Sequence, residues 1–346
     1  MATKFQHLPF EKMPGATRLL VLSPDPSRTD NGIQCRLVPA TFDAAYEALS
    51  YTWGTPDDLG LKIWVNDFHF PVRQNLYCAL TALRSATERH LWIDALCINQ
   101  LDSHGKGRQV GMMDLIYEKA KQVLVWLGYP DEFGNLAVNF EEPSTSTTKA
   151  PCETKSLPAF ELVTSIVERS KKPLGFDEWG YFRPYFRQKW IHHWQQLAAL
   201  YNAAYWSRLW IVPEFGLATK LQILYGTSSC HGDIFLVFRE LIYKLPVWAS
   251  AQDQGALFHA TSAVPDIGLS MKKIMGSKAM HLPMKVKHTV FANGFENVLS
   301  SCEEQYCAER RDKIYALLRL PHDLKDGDIP IDYNASIPQL YERTLG

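Results

Sequence analysis

RQVGMMDLIYEKAKQVLVWLG, residues 108–128, is the stretch on which the fold class turns. Val110, Met113, Ile116, Tyr117 and Ala120 recur at helical spacing and give one apolar stripe that must face a core. The run VLVWLG that follows, 123–128, is apolar without alternation, which suits a strand buried on both faces.

Working outward, the same grammar repeats towards the N-terminus. HLWID at 90–94 reads as a short strand, and Leu76, Ala79, Leu80 and Leu83 mark an amphipathic helix before it. LKIWVNDFHFPV, 61–72, reads as a hairpin turning at Asn66-Asp67, and YEALSY, 46–51, as another buried strand. Strands alternating with helices predict an α/β fold built on a mainly parallel sheet with helices on its faces. Before it, the apolar runs Arg18 to Leu22 and Ile33 to Val38 flank SPDPSRTDNG, so residues 1–41 read as a β hairpin at the sheet edge.

Towards the C-terminus, residues 130–158 are rich in Pro, Ser, Thr and acid and read as a flexible insertion. Residues 159–218 look helical, KLQILYG (220–226) is a candidate strand, and the remainder is mostly helical with loops around Gly255 and Gly276. The expected organisation is therefore a hairpin (1–41), a core (42–218) holding the insertion, and a largely helical extension of the same domain (219–346). The chain stops at Leu345-Gly346 inside a helical pattern, as a piece of a longer protein would.

Composition excludes several functions. With 36 basic and 37 acidic residues, the net charge is −1, and no Lys/Arg stripe offers a footprint for nucleic acid. Hydrophobic residues make up 46% of the chain, enough for a core, but no run of about 18 uncharged apolar residues occurs and the N-terminus lacks a signal-peptide core. A soluble cytoplasmic protein without a membrane span is expected. The seven cysteines are scattered and hold no C-x-x-C pair, which argues against a disulfide framework or zinc site. Adjacent His192 and His193 point to different helix faces, so no metal is expected. Cys97 lies in the apolar context Ala-Leu-Cys-Ile, where a thiol is normally inert. Rossmann, P-loop, nucleophile-elbow and H-E-x-x-H patterns are absent. HGKGRQ, 104–109, reads as a plain basic loop opening a helix, a place where a phosphate could also bind.

Four blocks in order, YEALSYTWG (46–54), LWIDALCINQ (91–100), the 108–128 stretch and RLWIVPEF (208–215), resemble the fungal heterokaryon-incompatibility (HET) domain family. ERRDKIYALLRL (309–320) and IDYNAS (331–336) are similar to the element that commonly follows that core. The family usually has an acidic-basic pair shortly before the Gln-Val of the third block; here Gly105 and Lys106 stand there instead. The family in turn looks remotely like the Toll/interleukin receptor (TIR) fold, which implies a flavodoxin-like arrangement with YEALSY, LWID and VLVWLG as successive strands.

Some TIR domains cleave NAD with a glutamate in a W-x-x-x-E segment, and Trp210-Ile-Val-Pro-Glu214 has that spacing. The resemblance thus implies Glu214 as the catalytic carboxylate, with NAD as substrate rather than as a resident cofactor. In open α/β sheets ligands bind outside the carboxyl ends of strands, where Ser50, Tyr51, Trp53, Gly54 and Asp94 are expected to converge. Departing nicotinamide becomes neutral and needs no strong acid, so one carboxylate stabilising the oxocarbenium-like ribose suffices. Trp210, Trp53 or Tyr51 would stack on a ring.

Each assignment has a structural counterpart. Pro213-Glu214 is also a common helix start, and the tryptophans suit a core. Asp94, at the end of an apolar strand, is either hydrogen-bonded to a nearby turn or aimed into a site. For the whole protein the resemblance implies a cell-death effector of fungal non-self recognition that consumes NAD. The competing readings are a non-enzymatic module that self-associates or engages an upstream receptor-like protein, and a HET-like scaffold recruited to other small-molecule chemistry.

Overall fold

The computed structural model describes residues 7, 16–24, 32–54, 59–129, 157–172, 178–248, 260, 262–282, 294–325 and 327–345. Most of the expected insertion at 130–158, part of the SPDPSRTDNG turn and the Gly255 loop lie outside the described residues.

In chain order the strands are β1 (Ala16–Leu22), β2 (Gln34–Thr41), β3 (Glu47–Tyr51), β4 (Lys62–Val65), β5 (Phe68–Pro71), β6 (Arg89–Trp92), β7 (Gln122–Trp126), β8 (Leu221–Tyr225) and β9 (Ser228–His231). The principal helices are α1 (Gln74–Leu83), α2 (Asp94–Cys97), α3 (Ser103–Val110), α4 (Met113–Lys119), α5 (Pro158–Ser170), α6 (Ile191–Tyr201), α7 (Ile211–Gly216), α8 (Gly232–Trp248), α9 (Pro265–Met275), α10 (Lys278–His281), α11 (Phe295–Ser301), α12 (Asp312–Tyr315) and α13 (Ile337–Leu345). The chain divides into two compact units, residues 1–126 with 207–221 and 283–346, and residues 127–206 with 222–282.

In the first unit the strands run in the order β5-β4-β2-β1-β6-β3-β7. The class is α/β, but the sheet is mixed. β3 is parallel to β6 and β7, and β2 to β4, whereas β1 is antiparallel to both β2 and β6 and β4 to β5. The sequence expectation of a mainly parallel sheet with the N-terminal hairpin at its edge is corrected here: β1 and β2 lie between β6 and β4. The reason is burial. Leu19, Leu20, Val21 and Leu22 are all at most 2% exposed, and such a run can satisfy both faces only inside a sheet.

Other local expectations hold. Leu76, Ala79, Leu80 and Leu83 line the buried side of α1. Val123, Leu124, Val125 and Trp126 are each 0% exposed. Asn66 and Asp67 have φ of 48° and 67°, the two left-handed residues that a tight hairpin turn requires, and they join β4 to β5. The helix expected across 110–120 is instead two, because α3 closes at Gly111 and α4 starts at Met113. HGKGRQ is not a loop but part of α3, whose start Asp102 caps by accepting from the Gly105 N–H at 3.0 Å.

The second unit holds α5, α6, α8, α9 and α10 with the antiparallel β8–β9 hairpin, whose turn contains Gly226 at φ 60°. Tyr201 of α6 stacks on Phe235 of α8 with ring centroids 5.0 Å apart, and Trp206 lies parallel to the same Phe235 at 5.6 Å. Among the described residues no helix is long and apolar enough to cross a membrane. The six described cysteines are free.

Candidate functional site

β3 lies between β6 and β7, and its last residues, Ala48 to Tyr51, are all buried. A serine in such a strand must find a partner, since an unpaired buried hydroxyl is costly. The Ser50 hydroxyl donates to Glu214 Oε2. Past Tyr51 the chain leaves the sheet through Thr52 and Trp53 to Gly54, whose φ of +76° falls where a side chain would be strained. Arg73 Nη1 donates to the Gly54 carbonyl at 2.7 Å and its guanidinium lies 5.6 Å from the Trp53 ring centroid. Asn75 pins the same turn, donating to the Thr52 carbonyl at 2.6 Å while accepting from Trp126 Nε1 at 2.8 Å. An Asn75→Ala protein is expected to lose about 1–3 kcal/mol, read as a lowered denaturation midpoint, because it strands the indole N–H and the carbonyl together.

Asp94 opens α2 directly after β6. Its carboxylate accepts from Trp53 Nε1 at 2.8 Å and from the Ala95 N–H at 2.7 Å, so it supports the turn as the hydrogen-bonded alternative anticipated. Burial pushes its carboxyl above the usual range, against the pull of Arg208, the Trp53 N–H and the Ala95 N–H.

Glu214 sits in the first turn of α7, which starts at Ile211, so Pro213 falls where a backbone N–H has no helical partner to lose. The residue is 1% exposed. Arg208 Nη1 stands 3.9 Å from its Oε2 and also donates to the Tyr51 carbonyl. Burial raises the Glu214 pKa to about 7; Arg208 and the Ser50 hydroxyl pull it down and Asp94 pushes it up. Tyr51, also buried, is raised far above the ordinary phenol range by desolvation and then by Asp94.

A carboxyl raised from 4.5 to about 7 is protonated more readily in the folded than in the unfolded chain. The stability this contributes is fully present below about pH 4.5 and is lost as pH rises through about 7, a total of about 3 kcal/mol at 1.36 kcal/mol per unit. The stability of Glu214→Gln relative to the native chain is therefore expected to rise by about 3 kcal/mol between pH 4 and pH 8, measured by urea denaturation across that range. A constant difference would contradict the burial account.

The structure thus brings Ser50, Tyr51, Trp53, Gly54, Asp94 and Glu214 into one cluster, tied by Arg208 and Arg73. Trp210 is placed differently: its Nε1 donates to Asp312 Oδ2 at 2.9 Å, and Asp312 Oδ1 accepts from Tyr333 OH at 2.7 Å. Leu209 N donates to the Tyr306 carbonyl at 2.8 Å and Tyr306 N to that of Ser207 at 2.6 Å, so residues of the 306–333 region clasp the start of the Trp210–Glu214 segment. A cavity of ≈ 420 Å³ touches Glu214 and Trp210 but none of Ser50, Tyr51, Trp53 or Asp94. Cys97 is 0% exposed with its thiol pushed up to about 12, in keeping with an inert role.

Sequence reasoning missed Arg208, Arg73, Asn75 and Asp312. Arg208 carried a signal, lying in the quoted RLWIVPEF block beside a buried carboxylate. Arg73 and Asn75 carried none.

These segments define a class. Residues 46–214 match the family model described as heterokaryon incompatibility protein (HET), so the chain carries a HET domain. It is 38% identical over 125 residues to heterokaryon incompatibility protein 6, OR allele, of Neurospora crassa, an alignment covering 32% of this chain and 18% of that relative. The match therefore spans less than a fifth of the relative's length. No solved structure matches the chain.

Proposed function

We propose that this chain acts in fungal non-self recognition, in the cytoplasm, and that its HET domain cleaves the nicotinamide-ribose bond of NAD at Glu214, leading to cell death. The name of the Neurospora relative supports the biological role. The observation that carries the chemistry is a carboxylate, 1% exposed, held by the Ser50 hydroxyl and Arg208 and reaching the wall of a ≈ 420 Å³ cavity.

In this reading the bond from ribose C1′ to the pyridinium nitrogen breaks, its electron pair neutralising the ring nitrogen, and neutral nicotinamide leaves. Ionised Glu214 stabilises the positive ribose in a site with little water, where a fixed charge acts strongly. Water then bonds to C1′ and gives up a proton, leaving ADP-ribose. Incubating the purified chain with NAD at pH 8 and quantifying nicotinamide by chromatography tests this. Release proportional to protein is expected, and none at any protein concentration contradicts it.

One observation favours a second reading. Glu214 is already satisfied by Ser50 and Arg208, as a purely structural carboxylate would be. The domain would then signal by assembling with copies of itself or with a receptor-like protein, and Glu214→Gln would leave toxicity in cells unchanged.

A further inference from the structure

The carbonyl of Trp210 accepts the Glu214 N–H at 3.2 Å and so closes the first turn of α7, on which Glu214 sits. Whatever fixes Trp210 therefore fixes where the Glu214 side chain begins. The helix supplies little of this itself, being six residues long with no side-chain cap from Trp210. The anchor comes from the C-terminal part of the first unit, where Asp312 Oδ2 accepts from Trp210 Nε1 at 2.9 Å. The Tyr306 backbone bonds Ser207 and Leu209, on either side of Arg208, the cation that faces Glu214.

Asp312 is in turn held from its far side. Its Oδ1 accepts from Tyr333 OH at 2.7 Å, and the Tyr333 ring lies edge-on to Tyr315 at 5.3 Å and 4.9 Å from Lys106 Nζ. Tyr315 OH donates to the Asp332 carbonyl at 2.9 Å, and Arg311 Nε to that of Ala335 at 2.8 Å. The ERRDKIYALLRL and IDYNAS segments are thus bound to each other as well as to Trp210. With one carboxylate oxygen on the indole and the other on the phenol, the Asp312 side chain is fixed in direction as well as distance.

We infer that Asp312 is a positioning residue for Glu214, acting through Trp210 to hold the start of α7, so that the two segments beyond the 46–214 family match complete the site. The assignment rests on the NAD reading for its effect on turnover but not for its effect on the Glu214 carboxyl.

Asp312→Ala, Asp312→Asn and Trp210→Phe test it by two readouts. The first is kcat and KM for nicotinamide release. Asp312→Ala is expected to lower kcat at least about ten-fold with KM within about three-fold, since a misplacement of about 1 Å can cost on the order of 10²-fold. Asp312→Asn is expected to recover most of that loss: its oxygen can accept from the indole while its amide donates to the Tyr333 hydroxyl, which can also accept. Trp210→Phe is expected to reproduce the loss and to add little to Asp312→Ala, because both remove the same bond. The second readout needs no NAD: infrared difference titration of the Glu214 carboxyl, assigned by its absence in Glu214→Gln. The midpoint, about 7 in the native chain, is expected to fall by about one pH unit or more in Asp312→Ala as water reaches a loosened α7, and to stay near native in Asp312→Asn. Trp210→Phe serves for both readouts if Asp312→Ala fails to fold. An unmoved Glu214 titration in the folded Asp312→Ala and Trp210→Phe chains overturns the assignment, even if both are less stable, and so does a shift in Asp312→Asn as large as in Asp312→Ala. A shifted titration in a chain that releases no nicotinamide removes the cleavage reading and keeps this assignment. Nicotinamide release at native kcat in all three variants, with the titration unmoved, does the reverse.

Discussion

Glu214→Gln is expected to lower nicotinamide release about 10²–10³-fold while leaving the fold intact, the usual size of effect when one preorganised electrostatic group is removed. Glutamine keeps the shape of the side chain, and its amide oxygen can accept from the Ser50 hydroxyl as Glu214 Oε2 does. What it cannot supply is negative charge to the ribose. The loss should fall on kcat more than on KM, since the charge is needed where positive charge develops. Retained far-ultraviolet circular dichroism and a cooperative thermal transition would establish that the variant is folded. Activity within two-fold of the native chain would remove Glu214 from the chemistry.

Arg208→Leu is expected to be the most damaging substitution for stability, costing about 3–5 kcal/mol, the scale for removing one partner of a buried ion pair. Arg208 has a side-chain exposure of 16%, against 1% for Glu214, donates to the Tyr51 carbonyl, and lowers the pKa of both Glu214 and Asp94. Without it, two carboxyl groups and a buried carbonyl lose their shared cation. The cost should shrink in a Glu214→Gln background, where one carboxylate is already neutral, and a double-mutant cycle by urea denaturation measures that coupling. A loss below about 1 kcal/mol, as for an exposed pair, would show that the cluster is not built around Arg208.

How far the sequence could lead is clear from particular residues. The helix-to-strand reading of 108–128 gave the fold class because apolar period is a local property, and the Asn66-Asp67 turn was legible for the same reason. The place of β1 was not. Its apolar run announced a buried strand, but whether it joins β6 or lies at an edge depends on residues about 70 positions away, as in the pairing of Leu20 with Leu91. The buried Arg18 within it, donating to the Cys97 carbonyl at 2.9 Å, gave no local hint of its partner.

The site divides in the same way. Ser50, Asp94 and Glu214 could be nominated because motif and strand ends point to them, yet the contact between Ser50 and Glu214 joins positions 164 apart. Trp210 is legible from its W-x-x-x-E spacing, whereas the partner of its indole nitrogen, Asp312, lies 102 residues on, in a segment beyond the 46–214 match. The partners that set charge and orientation, Arg208 and Asp312 above all, are tertiary facts that spacing does not encode.

The most direct test of Glu214 as a working carboxylate is the pH dependence of kcat/KM for NAD cleavage between pH 5 and pH 9. Its pKa is raised to about 7, and the ionised form is the one that stabilises the ribose. Activity is therefore predicted to rise about ten-fold per pH unit below that value and to level off above it, with Glu214→Gln showing no such rise. A flat native profile, or an identical rise in Glu214→Gln, would contradict the account.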